Sequence, residues 1–399
     1  MSLKLGSPEA GARTDIPLYR VDEHGAASQI ASIDLASPQG SIVTFNDAFD
    51  WPLEGDPGQV KYDGIPYFLE DMRPGGFMWT QFVQARPRSD HLPEQLTDWN
   101  DDHMWHALIN FGDDLVGNYF VGQEAYARHE YLRSIGRRYL NDSEIEWTYP
   151  AYAQHSTHAS ITFPLVGGRF PKFTARRLID NEPRHVIVKF TDLVDSPVSQ
   201  RWSDLLVCEH IAAQVLQNNL GIRTAQSRIF QFGGRTFLEI ERFDRHGPFG
   251  RSGVCSLASL NYEFVGSSSY QWPDVAKALV DRGLLADSEI AKIRLIWQFG
   301  RLIGNTDMHG GNLSFLPGMT VAPVYDMLPM VYAPYAKHSA LTGVDSLFLP
   351  PQAQKQQWQI GIKAAMEFWS LAALDNRISA SLRAACEENA NQLGQILSD

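Results

Sequence analysis

The feature that most constrains this chain is the point at which its strands stop. Residues 227–232 and 236–241 alternate apolar and polar side chains about Gly233–Gly234, the pattern of a β-hairpin. The run HVIVKF at 185–190 is rich in β-branched residues and reads as a buried strand with Lys189 near its end. Between them, residues 202–219 place Leu205, Leu206, Ile211, Ala212, Val215 and Leu216 at helical spacing, closed by Gly221. Past ERFDRHG at 241–247 the alternation does not return, and 272–303 and 355–397 carry helical stripes instead. The order is glycine turn, strand with lysine, helix with glutamate, hairpin, then an all-helical half.

At 399 residues the chain is too long for one ordinary core, so two or three compact units are expected. The first 150 residues alternate short extended runs with Gly/Pro/Asp turns and include a helix near 101–110, an α+β unit with no obvious chemistry. His103 and His106 on that helix lack acidic or cysteine partners at matching spacing, so a surface or capping role is expected. The polar segment WTYPAYAQHSTHAS, 147–160, reads as a linker.

Composition excludes several classes. A net charge of −12 argues against direct nucleic-acid binding, which needs clustered Lys and Arg. Three scattered cysteines, Cys208, Cys255 and Cys386, fit reduced core thiols better than a disulfide framework or zinc site. No window approaches the roughly 18 apolar residues of a membrane span, and the N-terminus lacks a signal-peptide core. A cytoplasmic protein with no membrane partner is expected.

The chemistry concentrates at 303–316, IGNTDMHGGNLSFL, which packs Asn305, Asp307, His309 and Asn312 into eight residues after an apolar helix. A capped helix end followed by an Asn/Asp/Gly turn would account for such a stretch. Asp326, fourteen residues beyond Asn312 in APVYDMLPM, argues for more. A carboxylate in an apolar stretch needs a partner, and a metal ion is a natural one. Phosphoryl transfer needs a carboxylate to orient the attacking hydroxyl, oxygen ligands for Mg²⁺, a lysine for the phosphates and a glycine loop over them. In kinases the base and the asparagine ligand lie five residues apart, as Asp307 and Asn312 do here. Lys189 and Glu209 stand upstream in the same order, on a strand and on the next helix.

With these residues in view, the chain resembles the HipA family of bacterial Ser/Thr kinases, the toxin half of toxin–antitoxin modules, and most of all its YjjJ-like branch. The matching text is GGxxPKFTA (167–175), VIVKF (186–190), FLEIERFDRHG (237–247), GNTDMHGGNLSF (304–315) and APVYDMLP (322–329). LEDMRPGGF (69–77) and FGDDLVGN (111–118) extend it to the N-terminal part. The resemblance implies an α+β, protein-kinase-like bilobal fold. Its parts would be an accessory domain over 1–155, a kinase-like N-lobe over 156–245 and an all-helical catalytic C-lobe over 246–399.

It further implies ATP and Mg²⁺ as cofactors. Asp307 would be the catalytic base, with His309 supporting the same loop, and Asn312 and Asp326 would ligate the metal. Gly167, Gly168, Lys172 and Lys189 would line the phosphates, with Glu209 paired to Lys189. The hinge from Glu241 to Phe243 would meet adenine. A protein acceptor such as an aminoacyl-tRNA synthetase and a helix-turn-helix antitoxin partner follow by the same analogy. One departure matters: family members carry an autophosphorylated serine before the glycines, whereas 164–168 here reads PLVGG, with no hydroxyl.

Three other readings use the same residues. A small-molecule kinase of the aminoglycoside or choline type shares D-x-H-x-x-N, though ERFDR, NTD and YDML favour the HipA side. A pseudokinase would hold nucleotide without transfer; the altered glycine loop favours it, and Asp307, Asn312 and Asp326 oppose it. A metallophosphoesterase is disfavoured, because D-x-H-G follows a helix and no later ligand motif exists.

Overall fold

The computed structural model describes residues 15–35, 40–47, 49–54, 58–85, 92–156, 170–334 and 355–398. Contacts divide it into two compact units. One takes in the described residues up to Arg138 together with Asp244–Cys255; the other takes in those of Tyr139–His158, Phe170–Phe243 and Ser256–Asp399.

The first unit is built on an antiparallel sheet of β1 (Asp15–Val21), β2 (Ala27–Leu35), β3 (Ser41–Phe45), β4 (Gln59–Tyr62) and β5 (Tyr119–Val121), in the order β4-β3-β2-β1-β5. With it go α1 (Tyr67–Glu70), α2 (Gly76–Ala85), α3 (Asp101–Phe111) and α4 (Gln123–Ile135). His103 proves to be a cap: its Nδ1 accepts from the Asn100 amide and its own amide donates to Asn100 Oδ1, both at 3.1 Å. Two of the motifs quoted above meet here. Arg245, 2% exposed, donates to the Asp114 carboxylate (3.0 Å) and the Gly117 carbonyl (2.9 Å), while Asp244 accepts from the Gly117 amide (2.9 Å).

The second unit opens with α5 (Asp142–Ser156), then β6 (Lys172–Ile179), β7 (Glu182–Phe190), α6 (Pro197–Leu220), β8 (Ser227–Phe232) and β9 (Arg235–Glu241). Its sheet order is β6-β7-β9-β8, all antiparallel. Two tight turns close the hairpins. Asp180–Asn181 (φ 53° and 64°) and Gly233–Gly234 (φ 53° and 71°) supply the paired positive φ that a two-residue turn demands. Helix α6 starts at a capping box between Ser196 and Ser199, with Pro197 in its first turn, and ends on left-handed Gly221.

The expected linker at 147–160 is corrected by α5, which runs on to Ser156; 157–160 lie outside the described residues. Its composition is polar and Pro150 interrupts its hydrogen bonding, so local propensity is poor. Ile145, Tyr149 and Ala153, four apart, are nevertheless all buried, and the packed face carries the helix.

The remainder is helical: α7 (Leu257–Leu260), α8 (Trp272–Asp281), α9 (Asp287–Leu302), α10 (Lys355–Leu374) and α11 (Ala380–Ser398). One refinement is needed to an all-helical half, since Ser314–Leu316 and Thr320–Val321 pair as a short hairpin. The three cysteines are free and buried, as expected of core thiols. Among the described residues no helix is long and apolar enough to cross a membrane.

Candidate active site

Strand alternation sorts the charges of the second unit onto two faces. Lys172 stands opposite Lys189, which stands opposite Leu238, so these three share one face of the sheet. On that face α6 lays Leu206 against Leu238, Ile240 and Ala225, and the same helix carries Glu209. Phe173, Phe237 and Glu239 point the other way, where Tyr149 of α5 packs on both rings (5.3 and 5.7 Å).

The Lys189 ammonium gathers the site. It donates to both oxygens of Glu209 at 2.8 Å and to Asp326 Oδ1. Lys172, Lys189 and Glu209 are each at most 7% exposed, whereas the Asp326 side chain is 35% exposed. Burial works against every one of these charges. For Lys189 the two carboxylates outweigh it and hold the ammonium above its usual range. For Asp326 burial is again outweighed, by the two lysines, and its carboxyl lies below the usual value. Glu209 is raised, burial prevailing over Lys189. Burial and the neighbouring ammonium pull Lys172 down to about 8. Asp326 also adopts a left-handed backbone (φ 56°), an uncommon state of the kind that gathers at working sites.

The loop after α9 is held by its own side chains. Asn305 accepts from the Asp307 amide (3.0 Å), and Asn312 Nδ2 donates to the Asp307 carbonyl (2.9 Å), so the two polar ends of the loop are tied together. His309 Nδ1 accepts from the Gly311 amide (3.1 Å) and its carbonyl accepts from the Trp272 indole (3.1 Å), so both ends of the residue hold the loop. The carboxylate-bearing Asp307 is exposed, whereas Asn312 is 8% exposed. Gly300 of α9 leaves room beneath: a Cβ there would lie 2.6 Å from the Met308 thioether and 3.0 Å from that of Met327.

The donor set suits Mg²⁺. That ion takes oxygen ligands, one or two carboxylates from protein and the rest from phosphate and water. Asp326 offers the carboxylate. Asn312 Nδ2 donates to the Asp307 carbonyl, and its Oδ1 is the atom that could ligate a metal. At the expected hinge, the amides of Glu241 and Arg242 are taken by the Gln226 and His185 carbonyls, both at 2.8 Å, and the Glu241 side chain lies 3.7 Å from Arg184. Phe243 lies against Tyr325 with the rings tilted by 31° and their centroids 5.9 Å apart.

The fold thus joins Lys172, Lys189, Glu209 and Asp326 in one cluster, and Asp307, His309 and Asn312 in one loop. Gly167 and Gly168 lie outside the described residues. Sequence reading passed over Tyr325, whose hydroxyl donates to the Gly311 carbonyl (2.7 Å) and pairs with Ser314 Oγ (2.8 Å). A tyrosine beside the carboxylate of Asp326 was the available signal. It passed over Trp272 as well, for which no local spacing points to the loop.

Residues 12–130 match the family described as YjjJ-like toxin, middle domain, and 165–395 match the HipA-like C-terminal domain. Toxin YjjJ of Escherichia coli (strain K12) is 35% identical over 388 residues, 96% of this chain and 84% of that one. Among solved structures, HipA from the Shewanella oneidensis MR-1 complex of HipA, HipB and operator DNA aligns over 96% of both chains at a TM-score of 0.56 and 15% identity, a likeness of fold. The α+β architecture with a kinase-like core is thereby shared along nearly the full length. This chain belongs to the HipA-like toxins, on their YjjJ-like branch.

Proposed function

We propose that this chain is a cytoplasmic ATP-dependent Ser/Thr protein kinase of the HipA type. The observation that carries the reading is the Lys189 ammonium bonded to Glu209 and Asp326 together. A strand lysine, a helix glutamate and a metal-type carboxylate meet at one point, the arrangement that phosphoryl transfer requires. Lys189 and Lys172 would face the phosphates, and Asp326 and Asn312 would hold Mg²⁺, which neutralises phosphate charge when bound. Asp307, exposed on a loop braced by Asn305 and Asn312, would take the acceptor proton. Adenine would meet the hinge at its carbonyls and at Phe243, since two hinge amides are committed within the protein. Gly167 and Gly168 would cover the phosphates. The proposed division is an accessory domain over 1–155, an N-lobe over 156–245 and a C-lobe over 246–399, with the nucleotide between sheet and helices.

The acceptor is proposed to be a protein hydroxyl, with an aminoacyl-tRNA synthetase as the first candidate. A helix-turn-helix antitoxin is the proposed partner, after the HipB bound in the Shewanella complex. The test is transfer of labelled γ-phosphate from Mg·ATP into a bacterial lysate. Wild type should label a discrete band and Asp307→Asn should lose about 10²–10⁴ in rate. Confirmed ATP binding with no label from wild type would overturn the reading.

A further inference from the structure

We infer that Tyr325 is a positioning residue that sets the spacing between the two metal-binding side chains, Asn312 and Asp326. The inference rests on the kinase-type reading of those two groups.

Residues 324–327 belong to no helix, yet each is pinned. Val324 exchanges backbone hydrogen bonds with Arg223 and Ala225 after α6, both at 2.9 Å. Met327 Sδ accepts from Asn305 Nδ2 at 3.5 Å. Between them, the Tyr325 ring packs against Leu206, Leu238, Ile240 and Ala225 and lies beside Phe243. Its hydroxyl reaches the other way, donating to Gly311 O and accepting from Ser314 Oγ.

The consequence follows from chain adjacency. Gly311 immediately precedes Asn312, and Tyr325 immediately precedes Asp326. One phenol therefore fixes the peptide next to each ligand. The left-handed backbone at Asp326 needs such support, because a residue in that region persists only where its surroundings over-determine it. A metal that accepts only near-octahedral geometry is sensitive to errors of a few tenths of an ångström in ligand placement. The same ring spans from the sheet to the catalytic loop, so the hydroxyl ties the loop to the strand that carries Lys189's neighbour Leu238.

The test separates positioning from packing. Tyr325→Phe keeps the ring and removes the hydroxyl. ATP affinity of the full-length protein is measured calorimetrically with and without Mg²⁺, alongside thermal unfolding. The Mg²⁺-dependent gain in affinity should shrink about tenfold in Tyr325→Phe, while affinity without Mg²⁺ stays within about twofold. Ser314→Ala, which leaves the Gly311 bond in place, should keep most of the gain. An undiminished gain in Tyr325→Phe, or an equal loss with and without Mg²⁺, overturns the inference. Wild type that shows no Mg²⁺-dependent ATP binding overturns it together with the kinase reading. Mg²⁺-dependent binding without phosphate transfer removes the kinase reading alone.

Discussion

Replacing Glu239 by leucine should unfold the sheet's far face, and the structure sets the size of the effect. Glu239 is 1% exposed and accepts from Arg177 Nε (2.8 Å), Arg228 Nε (3.0 Å) and the Tyr149 hydroxyl. Arg177 is fully buried, and its remaining partners are the Tyr149 hydroxyl at 3.1 Å, the Leu140 carbonyl at 2.9 Å and Asp142, itself 73% exposed. Removing the carboxylate alone strands a buried guanidinium whose other charge partner is largely in water. One-sided disruption of such a pair costs about 3–5 kcal/mol. At an m-value of about 3 kcal/mol/M, the urea midpoint of this unit should fall by at least about 1 M. Replacing both partners, Arg177→Met with Glu239→Leu, removes the uncompensated charge and should restore much of the loss. The surface pair Arg184–Glu182, 41% and 65% exposed, is the contrast, and Arg184→Ala should cost less than about 1 kcal/mol. Urea titration reads the midpoints, and amide exchange over 142–156 reads whether α5 is the element released. A single mutant within about 1 kcal/mol of wild type, or a double mutant as damaged as the single, would refute the reasoning.

Two further outcomes are expected. His129 is buried against the Gly25 carbonyl (2.9 Å), and burial, reinforced by Arg251, pulls its pKa down to about 4. The unfolded chain takes up this proton near pH 6.5 and the folded one only near 4, so stability should fall as pH drops through that window. Urea midpoints between pH 7 and 4.5 should show it, with a shallower slope in His129→Phe; equal slopes would count against the assignment. Mass spectrometry after incubation with Mg·ATP should find 160–175 without stoichiometric phosphate, because 164–168 offers no hydroxyl; phosphate there would restore the familial switch.

Much of the site was legible because its signals are short. The strand around Lys189 and the helix bearing Glu209 are each signalled within one element, and the structure has both where the sequence puts them. The glycine pair at 233–234 likewise marks a turn through backbone freedom alone. The misreading at 147–160 has the opposite cause. Pro150 and a polar composition are local evidence against a helix, while the evidence for it is the sheet face that α5 covers. Nor could spacing show that Arg245 of ERFDRHG would close on Asp114 of FGDDLVGN, since the two lie more than a hundred residues apart (|i−j| = 131).

The sequence by itself determined most of the elements, their order and the residue types available to the candidate site. These depend on side-chain periodicity, turn geometry and capping, which act over a few residues. Tertiary structure alone decided which charges share a face and which partners they take. Lys189 reaches Asp326 across 137 residues, Arg177 reaches Glu239 across 62, and the Tyr325 hydroxyl finds the Gly311 carbonyl. Hydrogen bonds and ion pairs between distant elements are set by how the buried faces pack, and no interval along the chain encodes that.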